Sequence, residues 1–176
     1  IRTWIALKMA GEIINRVSNS QLITIDLTDY APKVSVKELD IKDFLFQGIV
    51  LKEKEFRVNL KEFDFSNYTN KTVALNCSSD AIVPMWAFML VTSYLNNIAS
   101  EIHFGTKEEV FQKKISDNIN SIDASEFEGK KVIVKGCGNI PLSESLYIAI
   151  TKKLQNTVSS LMFGEACSAV PVFKKK

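Results

Sequence analysis

Lys71-Thr72-Val73-Ala74-Leu75-Asn76-Cys77 and Lys131-Val132-Ile133-Val134-Lys135-Gly136-Cys137 are two apolar runs, each opened by lysine and closed by cysteine. Both are aliphatic or β-branched through their centres, the pattern of a buried strand. A proline follows each cysteine, Pro84 and Pro141, and opens an apolar stretch at helical spacing, over 84–99 and 141–157. Proline suits a first helical turn, where its missing N–H has no intrahelical partner to lose. Each helix leads to a short strand ending in Phe-Gly: Glu101-Ile102-His103-Phe104-Gly105 and Ser160-Leu161-Met162-Phe163-Gly164. Strand, helix, strand in about 35 residues is a β-α-β unit, and two of them imply a mostly parallel sheet with right-handed crossovers.

The expected fold is therefore α/β, with a mostly parallel sheet built around the two repeated units and helices on both faces. A less regular α+β segment comes before them. Residues 22–27 alternate Ile23, Ile25 and Leu27 against Thr24 and Asp26, as a half-buried strand does. The stretch 41–51 is apolar and ambiguous, with Gly48 as a break. Residues 52–63 read as a helix by their Lys/Glu content, although Phe56, Val58 and Leu60 also suit a strand. Between the units, 106–122 carries Val110, Phe111, Ile115, Ile119 and Ile122 at helical spacing, with Thr106 and Glu109 as a capping box. The first repeat helix is apolar nearly all round and is expected to be the more buried of the pair.

Composition narrows the function. The chain has 176 residues, 46% hydrophobic content and a net charge of +2, enough for one domain with a sizeable core. No Lys/Arg stripe asks for nucleic acid, and Lys174-Lys175-Lys176 reads as a solvated tail. The longest apolar stretch, 81–95, runs to about 15 residues and falls short of the ~20 that span a membrane. Residues 1–8 precede an ordinary start at Met9-Ala10-Gly11-Glu12 and read as a non-native or disordered leader, leaving 9–176 as a single α/β domain. The chain has three cysteines and no secretory signal, which points to reduced thiols and a cytoplasmic location.

Those cysteines are the candidate site. Cys77, Cys137 and Cys167 each precede a proline, Pro84, Pro141 and Pro171, and each is followed by Ser or Gly. Ligands of parallel α/β sheets bind beyond the carboxyl ends of the strands. If all the strands of the two units lie in one parallel sheet, the three thiols share one rim. Helix N-termini near Cys77 and Cys137 favour thiolates. Three thiolates suit zinc, with Asp80, His103 or Glu165 as fourth ligand, or three corners of an iron–sulfur cluster. Alternatives remain open: a thiol-dependent transferase or persulfide carrier using Cys77 or Cys137, or an interaction module in which the cysteines only pack. No phosphate-binding glycine loop or G-x-S-x-G elbow is present.

Several stretches resemble a family of uncharacterised Bacteroidetes proteins known as domain of unknown function 2480. They are Glu12-Ile13-Ile14-Asn15-Arg16-Val17 with Ser20, Leu51-Lys52-Glu53-Lys54-Glu55-Phe56-Arg57, Asp80-Ala81-Ile82-Val83-Pro84 with Trp86-Ala87, Lys135-Gly136-Cys137, and Gly164-Glu165-Ala166-Cys167-Ser168 with Val170-Pro171. The resemblance runs from about Met9 to Phe173 and implies no established activity. It carries a shared role onto Cys77, Cys137 and Cys167, while His103 matches none of its motifs. The sulfur-mobilisation setting associated with the family implies iron–sulfur assembly proteins as partners.

Overall fold

The computed structural model describes residues 22–136 and 138–176. Its strands are β1 (Leu22–Asp26), β2 (Val36–Asp40), β3 (Thr72–Asn76), β4 (Glu101–Phe104), β5 (Lys131–Lys135), β6 (Ser160–Phe163) and β7 (Val170–Lys174). The helices are α1 (Glu53–Glu62), α2 (Met85–Leu95), α3 (Lys107–Asn120) and α4 (Glu144–Leu154). Short 3-10 helices at Leu27–Tyr30, Ile41–Phe44, Phe65–Tyr68 and Ala124–Phe127 make the corners. The α/β architecture and both β-α-β units are as expected, as is the capping box of Thr106 and Glu109 at the start of α3.

The strands divide between two sheets, however, of order β2-β3-β4 and β1-β5-β6-β7. Every pairing is parallel except β6 with β7. The division has a local cause. Each unit pairs its inner strand, β3 or β5, with its own N-terminal strand, β2 or β1, and no described strand pairs across from one sheet to the other. The single rim expected for the thiols does not form, because β3 and β6 belong to different sheets.

Helices cover both faces of the three-stranded sheet. Val73, Leu75 and Leu39 pack with Phe56 and Leu60 of α1 and Ala87, Val91 and Leu95 of α2. On the other face, Val36 and Ala74 meet Val110 of α3. Further along, Ile115 and Ile119 of the same helix pack with α4 over Val132 and Val134 of the four-stranded sheet. Helix α3 thus joins the two sheets, and its Lys114 reaches Glu101 of β4 at 2.8 Å.

The duplication extends further than the strand–helix–strand core, and its register differs by one residue from a cysteine-to-cysteine match. The Gly105 N–H donates to the Leu75 carbonyl at 3.1 Å, and the Gly164 N–H to the Val134 carbonyl at 3.0 Å. Ser100 binds Lys71 as Ser159 binds Lys130, and Asn70 binds Ile98 as Gly129 binds Thr157. Buried Phe56 and Leu60 correspond to buried Ile115 and Ile119. Asp64 caps its 3-10 helix through the Ser66 N–H, as Asp123 does through Ser125, each at 2.9 Å. These pairs share one gapless shift, which sets Asn76 over Lys135 and Cys77 over Gly136 rather than over Cys137. Likewise β1 and the following Asp26 cap repeat β2 and Asp40. The first unit, 36–105, is therefore inserted into the second, between its opening strand and α3.

One helix expectation needs correction. Pro84 is the residue before α2, but α4 begins after Ser143, so Pro141 lies in the preceding turn. Helix α2 buries Ala87, Val91 and Leu95, as α4 buries Leu146, Ile150 and Leu154, while its Met85 and Met89 stand in solvent. Its apolar outer face covers nothing within the described chain. Among the described residues, no helix is long and apolar enough to cross a membrane.

Candidate functional site

A cavity of about 620 Å³ opens at the carboxyl ends of β3 and β4, the end at which parallel sheets present ligand sites. Its walls come from Leu75, Cys77, Ser79, Ala81 and Val83 in and after β3, from Met85, Phe88 and Thr92 of α2, and from Ile102, His103 and Phe104 of β4. The volume suits a small ligand, and the lining is mostly apolar with a few polar groups, the usual make-up of such sites. Phe88 and Phe104 meet edge to face at 5.7 Å and form one wall.

Cys77 is half-buried at this wall, with Sγ 3.3 Å from Ser79 Oγ. Two carboxylate contacts fix the turn that carries it. The Ser78 N–H donates to Asp40 Oδ1 at 3.0 Å, and Asn76 Nδ2 donates to Glu38 Oε1 at 2.6 Å. Burial pushes the Asp40 carboxyl up, but hydrogen bonds from Ser78 and the Lys42 N–H outweigh it and hold the group below its ordinary range. Asn76 Oδ1 is buried without a hydrogen-bond partner among the described residues.

His103 lines the cavity, but its Nε2 lies 2.8 Å from Glu101 Oε2. Hydrogen bonds from Lys114 and then His103 hold the Glu101 carboxyl below its ordinary range. The ring is thus tied to a carboxylate. Asp80 is exposed in the turn after Ser79. Glu165 lies 3.5 Å from Lys135, which also approaches Asp26 at 3.7 Å, so these charges form a string at the rim of the other sheet. Cys167 is exposed in the turn between β6 and β7. Cys137 lies outside the described residues. The described candidate ligands therefore lie on two different sheets, in turns or, for His103, in β4, and among the described residues no three His, Cys, Asp or Glu side chains gather as a metal-holding group.

The second unit shows what the cavity replaces. At Gly136, the counterpart of Cys77, a Cβ would collide with the Tyr147 hydroxyl and a Leu142 methyl. These two side chains, counterparts of Phe88 and Val83, close over the glycine. Tyr147 also stacks edge to face on Phe163, at 5.6 Å, as Phe88 does on Phe104. The same scaffold thus carries a thiol beside an open cavity in one unit and a filled space over a glycine in the other. The nearly all-round apolar character of α2 masks this wall in the sequence. The signal available in the sequence was the exchange of Met85 for Glu144 at the corresponding helix start. A second cleft, about 640 Å³, lies by Tyr30, Lys33, Ser100 and Lys114. It sits at the amino ends of β3 and β4, away from Cys77.

The family model described as protein of unknown function (DUF2480) matches residues 11–175, and the chain belongs to that family. No curated protein and no solved structure matches it.

Proposed function

With that family membership as premise, we propose that the protein is a binding module whose cavity beside Cys77 takes a small, mostly apolar ligand. One observation carries this reading: the position that the second unit seals with Gly136, Leu142 and Tyr147 is left open in the first. Burial of apolar ligand surface against Leu75, Val83, Phe88 and Phe104 would supply most of the affinity. The Cys77 thiol and the Ser79 and Thr92 hydroxyls would orient whatever polar group the ligand carries. A cytoplasmic location belongs to the same proposal, since an odd number of cysteines fits a compartment that keeps thiols reduced.

The test uses 1-anilinonaphthalene-8-sulfonate as the ligand probe and a Cys137→Ser/Cys167→Ser protein, in which iodoacetamide labels Cys77 alone. Bound probe is expected to slow that labelling several-fold, and Ala81→Trp, which fills the cavity, is expected to abolish probe binding while the protein stays folded. Probe binding that survives Ala81→Trp, or labelling indifferent to the probe, would sink the proposal.

A further inference from the structure

The two units also differ at one sheet edge. In the second unit β6 is covered by β7, which pairs antiparallel and sets Phe163 opposite Val170 and Leu161 opposite Phe173. The counterpart strand β4 pairs only with β3 among the described residues. The Gly105 N–H points to Leu75 of β3, and backbone direction alternates along a strand. Ile102 and Phe104 therefore turn their N–H and C=O groups to the open edge. Their counterparts, Leu161 and Phe163, are residues that meet β7. Phe163 is 47% exposed under that cover, whereas Phe104 is 78% exposed without one.

The chain supplies β7 through the short turn 164–169, but Gly105 leads directly into the cap of α3, so no neighbouring segment can fold back on β4. The edge is short, but it carries no proline, lysine or bulge along Glu101–Phe104. On the neighbouring helix α2, Met85 and Met89 stand 74% and 72% exposed, and Met85 lines the same cavity as Phe104.

We propose that β4 pairs with β4 of a second copy of this chain, antiparallel, about a twofold axis at His103. A twofold axis through an edge strand generates an antiparallel pair and no other, the same sense in which β7 covers β6. In this register Ile102 of each copy exchanges two backbone hydrogen bonds with Phe104 of the other, using the groups that face outward. Phe104, Met85 and Met89 of both copies then share one covered apolar surface.

The proposal goes beyond the cavity reading and is tested separately, by sedimentation mass and amide exchange of the full chain. The wild-type protein is expected to be a dimer with the Ile102 and Phe104 amides protected. Phe104→Lys, at an exposed side chain, is expected to give a folded monomer in which both amides exchange rapidly, and Met89→Lys is expected to weaken the dimer by the same route. The Ala81→Trp protein should remain dimeric whatever becomes of probe binding. A monomeric wild-type chain at NMR concentrations overturns the proposal, as does a dimer indifferent to both lysine variants. Protected amides in a monomer would also overturn it, by showing the edge covered from within its own chain.

Discussion

The first unit, 36–105, and the second, β1 with 107–164, are the same device finished in two ways. Their ladders, the lengths of α2 and α4, and their 3-10 corners coincide, down to the paired glycines Gly105 and Gly164 at positive φ, 131° and 113°. They diverge at the rim and the outer edge. The second unit fills its rim with Tyr147 and Leu142 and covers β6 with β7. The first leaves a thiol-walled cavity and a bare β4. What duplicates is what holds the layers together, and what diverges is the surface where binding can occur. One copy is closed as structure and the other is left open.

The strongest challenge to this comparison is at the shared core. Leu60→Ala and Ile119→Ala occupy corresponding, fully buried positions and are each expected to cost ~2–5 kcal/mol in chemical denaturation. Equal losses support one scaffold used twice, whereas a tolerated substitution in one unit would break the equivalence. Next comes the rim. Gly136→Cys places the first unit's side chain where Tyr147 and Leu142 already fill the space, and overpacking of this kind is expected to cost at least about 1–3 kcal/mol. Cys77→Gly, facing an open cavity, is expected to cost about 0.5–1 kcal/mol, chiefly through backbone entropy. If the two swaps cost the same in thermal and urea unfolding, the rims are alike after all.

The caps give a smaller and symmetric effect. Asp64→Ala and Asp123→Ala each remove a carboxylate that accepts a serine N–H, and each is expected to lower the urea midpoint slightly and to a similar extent. The smallest effect is the pH dependence from Asp40, whose folded carboxyl lies below its ordinary range. Its contribution is present above the ordinary carboxylate pKa and fades as pH falls through the lower folded value. Asp40→Asn should therefore narrow the stability difference between neutral and acid pH, measured by urea unfolding across the range. Asp26, its counterpart, is also held low, by Thr28 and Lys135 against the upward push of burial. Asp26→Asn should act in the same direction.

Much of this fold is legible in the residues. The runs at 71–77 and 131–137 announce strands because aliphatic side chains there have no polar alternation to expose. Thr106 and Glu109 announce the start of α3 because their side chains satisfy orphan backbone donors. The cavity is less legible, because Met85, Phe88 and Met89 look like core in any sequence and differ only in what packs against them. The expectation of a common thiol rim rests on three cysteine–proline turns, two of them with the same spacing. It failed for Cys77 and Cys167 because each unit completes its own sheet with a private N-terminal strand.

By itself, then, the sequence determined the kinds of element, their order, their duplication and most of their ends, since these depend on side-chain periodicity and local capping. Tertiary structure alone decided the register between the copies, which backbone hydrogen bonds set and residue identity does not. A one-residue difference moves a side chain from one face to the other, so the cysteine of one copy faces the glycine of the other. Packing around that one position made the difference between a sealed rim and an open cavity.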